Sequence, residues 1–299
     1  MISINPEEES VAKVHAYMLG AVAPRPIAFV STIDKNGKIN LSPYSFFNGF
    51  SANPPTLIFS PARRVRDNTT KHTLENVLEV PEACINVVTY DMVHQTSLAS
   101  TEYPKGTNEF VKAGFTPLES ERIKPPRVKE SPVQFECKVK DVIHLGKEGG
   151  AGNLVICEII KIHLAESVLN ENHQLDPQKI NLVGRMGGNF YTKAYGSSLF
   201  EVPKPLSKLG VGIDMLPEQI RNSHILSGND LGQLGNVEKI PTPLTSDEIQ
   251  TDDYLRDAFE RLKNDPETLS FHLHKYAKEL IKNNQIEAAW KVLLIDPFK

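Results

Sequence analysis

The richest cluster of reactive side chains is the basic, hydroxyl-bearing stretch from Arg63 to Thr73. Three arginines and a lysine alternate there with asparagine and threonine, and the stretch leads into the start of a predicted helix. Cations, hydroxyls and the free N–H groups of a helix N-terminus are the groups that bind a phosphate. The stretch therefore predicts a phosphate site, with candidate ligands Asn68, Thr69, Lys71 and Thr73.

Three other segments combine small, polar and aromatic residues in a way that suits a flat ligand. Residues 25–32 begin with a cation beside a proline, residues 40–51 interleave hydroxyls with aromatic rings, and residues 183–191 contain three glycines. Glycine lets a backbone approach a ligand closely. The candidate contacts are Arg25, Ser31 and Thr32, then Ser45, Phe46, Phe47, Asn48, Ser51 and Ser60, and finally Arg185, Gly187, Gly188 and Tyr191.

Together these segments meet the needs of flavin mononucleotide (FMN). Its phosphate needs cations and N–H donors, and its isoalloxazine ring needs an apolar wall, close backbone and a few donors near N5. Each segment has a simpler explanation by itself, because a basic loop is usually a solvated surface, an aromatic strand is usually core and a glycine pair is usually a turn. Their joint occurrence favours the FMN site.

Several well-known catalytic motifs do not occur in this sequence. It has no GxGxxG after a strand, no GxxxxGK[ST], no HExxH, no CxxC pair and no GxSxG. Dinucleotide-binding Rossmann, P-loop, zinc-protease and α/β-hydrolase interpretations are therefore disfavoured. His272 and His274 are two positions apart in a predicted helix and point to different sides, so we expect no metal site. We also expect no catalytic side chain, because a flavin carries its own chemistry.

Strands outnumber helices up to about residue 170, which predicts a mainly β fold with helices (α+β). The pair Asn36-Gly37 predicts a tight hairpin, and glycines 146–152 predict a turn between two long strands. This spacing is typical of an antiparallel barrel or sandwich. The predicted strands are 27–33, one beginning near 38, 56–60, 84–89, 133–145 and 153–169, and the predicted helices run from about 5 to 20, 70 to 78 and 92 to 100.

The sequence changes character after Tyr195. Residues 196–244 are rich in glycine, proline and asparagine and predict a linker. A capping box at 245–248 and the Asp265-Pro266-Glu267 sequence predict helices, so residues 245–299 are expected to form a helical appendage. The predicted organisation is a flavin-binding domain at 1–195, a linker and the appendage.

The net charge and the composition limit the expected partners and the expected cellular compartment. The formal net charge is −4, which argues against a nucleic-acid partner and gives no reason to expect a membrane partner. The three cysteines lie among apolar neighbours and are expected to be buried core residues. The N-terminus is acidic and polar and no long apolar run occurs, so a cytoplasmic location is expected.

The order of the motifs resembles a known family. RPIAFVST, NLSPYSFFNGFSANPP, FSP, a basic loop ending in KHTLEN, ACINVV and VGRMGG with FYT are similar to the flavin reductase-like FMN-binding split-barrel family, of the flavoredoxin and nitrilotriacetate monooxygenase component B types. The similarity runs from about Val14 to Tyr195. It implies a six-stranded antiparallel Greek-key split β-barrel, a homodimer and FMN at the dimer interface.

The resemblance also implies roles for the candidate residues. Residues 45–48 would lie along the isoalloxazine, with Ser31 and Thr32 nearby. Ser60 and the loop with Asn68, Thr69, Lys71 and Thr73 would take the ribityl chain and the phosphate. The piece from Arg185 to Gly188 would close over the site, and Tyr191 would reach it. For Arg25 and Arg185, a flavin or phosphate contact and a structural ion pair are equally good interpretations.

Three functions are compatible with these residues. In the first, NADH or NADPH gives a hydride to N5, and the flavin then reduces free flavin, a protein partner or another acceptor. In the second, the protein is an electron carrier or flavin-binding module without nicotinamide activity. In the third, the barrel is a non-catalytic scaffold for interactions.

Overall fold

Seven antiparallel strands form the main sheet of the computed structural model, which describes residues 1–205, 209–262 and 264–297. Two short two-stranded ribbons, β6–β7 and β10–β11, accompany it. In chain order the strands are β1 (Ala28–Ile33), β2 (Ile39–Tyr44), β3 (Phe47–Ala52), β4 (Pro55–Phe59), β5 (Glu82–Val87), β6 (Pro117–Leu118), β7 (Arg127–Val128), β8 (Val133–His144), β9 (Asn153–Leu164), β10 (Val183–Arg185) and β11 (Tyr191–Lys193).

The two edge strands of the main sheet are consecutive in the sequence. The spatial order is β2-β1-β5-β8-β9-β4-β3, so β2 and β3 lie at opposite ends. Only Ser45 and Phe46 connect them, and three Cα–Cα steps span at most about 11 Å. The sheet must therefore curl until its edges approach, yet β2 and β3 are not paired with each other. The result is a barrel that is open along one seam, with Ser45 and Phe46 where the chain crosses it.

Local sequence explains the central strands and their turns. β1 is composed largely of β-branched and apolar residues and is buried throughout, as a strand with neighbours on both sides should be. Gly37, at φ 78°, allows the tight turn into β2 that the Asn36-Gly37 pair predicted. The long pair β8 and β9 flanks the glycine-rich turn. The predicted strand content is confirmed, but the expected count of six is wrong, because β3 adds a seventh strand beside β4.

Four helices accompany the barrel, and their bounds are α1 (Val11–Ala21), α2 (His72–Glu79), α3 (Val93–Ala99) and α4 (Glu109–Ala113). The predicted first helix is divided. Residues Pro6–Glu8 form one 3₁₀ turn, and α1 begins after its own N-cap, Ser10. Leu74 and Val77 of α2 pack into the barrel core with Phe59 and Ile85. The start of α2 is thereby fixed beside the basic loop.

Residues 201–299 form the second compact unit, and residues 1–200 the first. The second unit contains α5 (Glu218–Arg221), α6 (Gly228–Gly235), α7 (Ser246–Thr251), α8 (Asp253–Leu262), α9 (Pro266–Lys282) and α10 (Ile286–Leu293). The capping box before α7 and the Asp265 N-cap of α9 are both present. Within 196–244, the predicted linker, Ile220 and Leu234 join the core around Trp290. This segment therefore belongs largely to the folded helical unit.

Additional 3₁₀ turns lie at Tyr90–Met92, Glu166–Val168, Gly196–Ser198 and Ile213–Met215. No helix of the described residues combines the length and the apolar composition needed to cross a bilayer. Part of the second unit, residues 206–208, 263 and 298–299, lies outside the described residues.

Candidate functional site

A groove of about 810 Å³ lies in the first unit, between α1 and the loop that follows β4. One wall is the face of α1 with Val11, Val14, His15 and Met18. Phe46 lies opposite, and its ring meets the His15 ring edge-on at 6.0 Å between centroids. The groove thus has apolar and aromatic walls along most of its length. Its remaining lining includes Ser60, Ala62, Arg63, Arg64, Val65, Arg66, Lys71, Glu102, Leu145, Gly150, Gly152 and Leu154.

One end of the groove is strongly basic. Arg64, Arg66 and Lys71 converge on a single carboxylate, Glu102. Arg64 Nε lies 3.0 Å and Lys71 Nζ 3.4 Å from Glu102 Oε1, and Arg66 pairs with Oε2. Burial acts to raise the pKa of Glu102, but hydrogen bonds and charge from these cations outweigh it and hold the pKa below its usual value. The cluster is therefore ionised and carries more positive than negative charge.

The loop that carries these cations is shaped by its own hydrogen bonds. Arg63 Nε donates to Asn68 Oδ1 at 2.6 Å, and Asn68 adopts the left-handed conformation with φ 56°. Arg64 donates to Thr69 Oγ1 at 2.9 Å, and Thr69 donates in turn to Asp67 at 2.6 Å. Hydrogen bonds from Thr69 lower the pKa of Asp67 to about 2. Asn68 and Thr69 thus stabilise the loop through hydrogen bonds to other residues of the loop.

The N-terminus of α2 opens beside the same cations. Its N-cap is Lys71, and no side chain caps the helix. The Leu74 N–H donates to the Lys71 carbonyl at 3.0 Å, so it is mainly the helix dipole that favours an anion there. Thr73, in contrast, is fully buried and donates to Asn40 Oδ1 at 2.6 Å, so it faces the interior.

Ser60 follows β4 directly and lines the groove. Its hydroxyl accepts a hydrogen bond from the Asn153 N–H at 3.1 Å, which ties the end of β4 to the start of β9. A Cβ at Gly152 would lie 2.9 Å from Ser60 Oγ, so only glycine fits there without displacing the serine. Small residues keep this part of the groove open.

The remaining candidates of the barrel are separated from the groove. Ser31 and Thr32 are fully buried; Ser31 donates to the Pro126 carbonyl, and Thr32 accepts from Asn76 at 3.1 Å. Phe47 packs against the barrel core. Asn48 and Ser51 lie exposed on the edge strand β3. The structure therefore brings Phe46, Ser60 and Lys71 together with the loop and leaves these five elsewhere.

Arg25 is a buried structural anchor. Its guanidinium donates to the carbonyls of Leu19 and Val22 at the end of α1, and to Met186 O at 3.0 Å. Its Nε donates to Ser45 Oγ at 3.3 Å. Burial, and then the positive charge of Arg185, lower the pKa of Arg25. These bonds join α1, the seam and the β10–β11 ribbon. Arg25 therefore has a structural role through carbonyl and hydroxyl acceptors, and not through the expected ion pair.

The β10–β11 ribbon carries the last group of candidates. Gly187 lies against Gly20, where an added Cβ would be 3.1 Å from the Gly20 Cα, and Gly188 takes φ 57° in the turn. Gly187 thus allows the ribbon to pack on α1, and Gly188 allows the turn. Arg185 and Tyr191 instead line two smaller cavities, of about 240 and 380 Å³.

Comparisons with known proteins identify the family of the chain. The sequence model of the family described as the flavin reductase like domain matches residues 19–182, more than half of the chain. The chain belongs to the flavin reductase-like family. An uncharacterized protein of Aquifex aeolicus is 38% identical over 189 residues, which are 63% of this chain and 94% of that protein.

Two solved structures show the same flavin reductase-like fold. Nitrilotriacetate monooxygenase component B from Bacillus cereus has a TM-score of 0.63 and 31% identity, covering 68% of this chain and 98% of that one. Flavoredoxin of Desulfovibrio vulgaris (Miyazaki F) has a TM-score of 0.53 and 19% identity, covering 69% and 98%. The expected family and its split-barrel fold are confirmed. The family match ends before residue 201, where the helical unit begins.

Several residues that line the groove of this flavin reductase-like chain were not predicted from the sequence. Val11, Val14, His15 and Met18 recur at helical spacing, which was a usable signal for one buried or ligand-facing side of α1. No sequence pattern identifies Glu102 as a groove residue, because it lies 38 positions after Arg64 and 31 positions after Lys71. Among the described residues, no group of three or more His, Cys, Asp or Glu side chains is arranged to hold a metal ion.

Proposed function

We propose that this protein binds FMN in the groove between α1 and the basic loop and acts as an FMN-dependent oxidoreductase. The observation that carries the proposal is the placement of Arg64, Arg66, Lys71 and the uncapped start of α2 at one end of an apolar groove. A phosphomonoester joined to a flat aromatic ring has this distribution of charge and apolar surface.

The residues present fit the cofactor in both chemistry and size. The groove volume of about 810 Å³ lies in the range of small-molecule sites. Lys71 and Arg66 hold the phosphate, and the dipole of α2 favours the anion at the start of the helix. Ser60, which lines the groove, offers a hydroxyl to the ribityl chain. Backbone groups at 45–46 lie at the barrel seam, where they orient the ring.

Bound FMN supplies hydride acceptance at N5 and the onward transfer of electrons. The residues of the chain position it and control its surroundings. Phe46, Val14 and Met18 exclude water from the groove, which strengthens the charge interactions at its basic end. NADH or NADPH is the proposed electron donor. Free flavin or a protein partner is the proposed acceptor.

A homodimer is the proposed assembly. β3 is an edge strand of the described sheet, and its Phe50 is 64% exposed. Ile143, Ile162 and Leu164 on the long β8–β9 pair are also exposed. Exposed apolar side chains on a sheet edge and on a long strand pair are typical of protein interfaces, and pairing of two copies would cover part of them. A cytoplasmic location is proposed as well, supported by the three free, buried cysteines.

The flavin proposal is tested by titration with FMN and with riboflavin, which lacks the phosphate. FMN should bind more tightly, give a yellow protein and lose its colour with dithionite. Lys71→Ala and Arg66→Ala should each weaken FMN binding about tenfold, because each removes a charge-assisted hydrogen bond, while riboflavin binding stays within about twofold. Lys129→Ala, an exposed lysine outside the groove, is the matched control. Equal affinities of the wild type for FMN and riboflavin would contradict the phosphate site.

A further inference from the structure

Two cations are fixed along the wall of the 380 Å³ cavity beside the β10–β11 ribbon. Lys193 Nζ lies 4.0 Å from the centroid of the Tyr90 ring and 5.7 Å from that of Tyr195. Arg185 Cζ lies 4.6 Å from the centroid of Tyr191. Aromatic faces attract cations at these distances. The rings therefore hold both positive charges in place at the surface of the cavity.

No acidic side chain balances these charges. The lining of this cavity and that of the neighbouring 240 Å³ cavity include no aspartate or glutamate. The ion pairs within residues 1–200 do not include Arg185 or Lys193. His94, Ser97 and Asn189 add hydrogen-bonding groups to the wall. In a chain with net charge −4, such a cavity concentrates anionic ligands.

The position of the cavity relates it to the flavin groove. The 240 Å³ cavity shares Ser97, Arg185 and Tyr191 with the larger one and also contains Ser45. The next residue in the chain after Ser45 is Phe46, which lines the groove. A series of cavities therefore leads from the seam of the barrel to Lys193. An elongated ligand with a planar ring at one end and phosphates further along would match this series.

We propose that Arg185 and Lys193 bind the phosphate groups of the reduced nicotinamide dinucleotide that donates electrons, at a site separate from the flavin phosphate site. This inference rests on the proposed function for the identity of the ligand. It assigns Arg185 to the donor and leaves the flavin phosphate to the loop of Lys71. Tyr90, Tyr191 and Tyr195 then act as positioning residues, because they orient the two cations.

The test uses ADP as a probe for the phosphates, titrated calorimetrically into the full chain with and without added FMN. ADP should bind, and adenosine should bind at least tenfold more weakly. Lys193→Met and Arg185→Met should each raise the Kd for ADP about tenfold, and Lys129→Met should leave it unchanged. Absence of ADP binding to the wild type, or equal binding by the variants, overturns the inference.

A kinetic measurement connects the site with the donor. Bound flavin is reduced anaerobically by NADPH or NADH in a stopped-flow instrument. Lys193→Met should raise the half-saturating concentration of the donor about tenfold and leave both the limiting rate and the Kd for FMN within twofold. An unchanged half-saturating concentration overturns the assignment. If FMN fails to bind, or neither dinucleotide reduces it, the proposed function fails, whereas ADP binding still decides whether the cavity takes phosphates.

Discussion

Glu102 Oε1 accepts a hydrogen bond from Arg64 Nε at 3.0 Å, across the basic end of the groove. The same oxygen lies 3.4 Å from Lys71 Nζ, and Arg66 pairs with the other oxygen. The proposed phosphate site thus contains its own counter-ion. A phosphate must compete with this carboxylate for the same donors, since both are anions that prefer charge-assisted hydrogen bonds.

Replacing Glu102 with glutamine should therefore tighten FMN binding. Glu102→Gln removes the competing charge and keeps the shape of the side chain. We expect the Kd for FMN to fall about fivefold, which is about 1 kcal/mol, while the Kd for riboflavin stays unchanged. The gain should shrink at high salt, because the side chain is 36% exposed and its interactions are screened. Quenching of flavin fluorescence measures both constants.

The matched control is Glu158→Gln. Glu158 forms an ion pair of 2.9 Å with Lys140 and is 31% exposed, but it does not line the groove. Its replacement should leave FMN affinity as in the wild type. Weaker FMN binding by Glu102→Gln would show that the carboxylate organises the cations for the ligand and does not compete with it.

Thr73 was a candidate phosphate ligand, and its placement gives a different expectation. The buried hydroxyl donates to Asn40 Oδ1 at 2.6 Å. Thr73→Val keeps the volume and leaves that acceptor unpaired, so the free energy of unfolding should fall by about 1–2 kcal/mol. FMN affinity should stay within twofold of the wild type. Urea denaturation and FMN titration measure the two effects, and a tenfold loss of affinity at unchanged stability would place Thr73 in the phosphate site.

The difference between Lys71 and Thr73 shows what the sequence could predict. Asn36-Gly37, the glycines of residues 146–152 and the capping box at 245–248 are local signals, and the turns and the helix they predicted are present. The basic loop was identifiable because its cations are adjacent in sequence. Which side chains face outward depends on the rotation of α2 against the barrel, and Leu74 and Val77 set that rotation by packing into the core. Thr73 turns inward with them.

Hydrogen-bonded pairs that are far apart in the chain could not be predicted from the sequence for a related reason. Glu102 reaches Arg64 across 38 positions, and Arg25 reaches Met186 across 161. No local pattern encodes such pairs, because they depend on how the sheet curls and closes. The seventh strand, β3, was not predicted for the same reason. β3 is exposed along most of its length and contains Gly49, so its pairing with β4 is what identifies it as a strand.

Tyr44 offers a test of the core beneath the basic loop. Among the described residues, its hydroxyl is a buried side-chain oxygen without a hydrogen-bond partner. Burial raises the pKa of Tyr44 to about 12. Tyr44→Phe removes a buried hydroxyl that lies near the Thr73 and Ser42 hydroxyls but makes no hydrogen bond of normal geometry, so the free energy of unfolding should rise by about 1 kcal/mol.

The control for that prediction is Tyr276→Phe. The hydroxyl of Tyr276 donates to Asp252 Oδ2 at 2.8 Å, so its loss should destabilise the helical unit by about 1 kcal/mol. Thermal unfolding followed by circular dichroism reports both changes. A loss of stability in Tyr44→Phe would mean that the Tyr44 hydroxyl has a partner, such as a bound water, in solution.

Glu136 should make the stability of the barrel depend on pH. It is fully buried and accepts hydrogen bonds from the Glu121 N–H at 2.8 Å, the Arg122 N–H at 2.6 Å and His163 Nε2 at 2.7 Å. Burial acts to raise the pKa of Glu136, but these donors outweigh it and lower the pKa. The charged form is therefore favoured by folding. Its contribution is complete above the unfolded pKa of about 4.3 and is lost as pH falls through the lower folded value.

The variant Glu136→Gln separates this contribution from the rest of the acid response. At pH 7 it should lower the free energy of unfolding by about 2 kcal/mol, because charged hydrogen bonds to buried N–H groups are replaced by weaker ones. The difference from the wild type should shrink below about pH 4, as the wild-type carboxylate takes up a proton. Urea denaturation at several pH values measures it, and Glu158→Gln should show no such dependence. A difference that stays constant from pH 7 to pH 3 would mean that Glu136 does not titrate in this range, and the acid sensitivity would then have to arise from the exposed pairs.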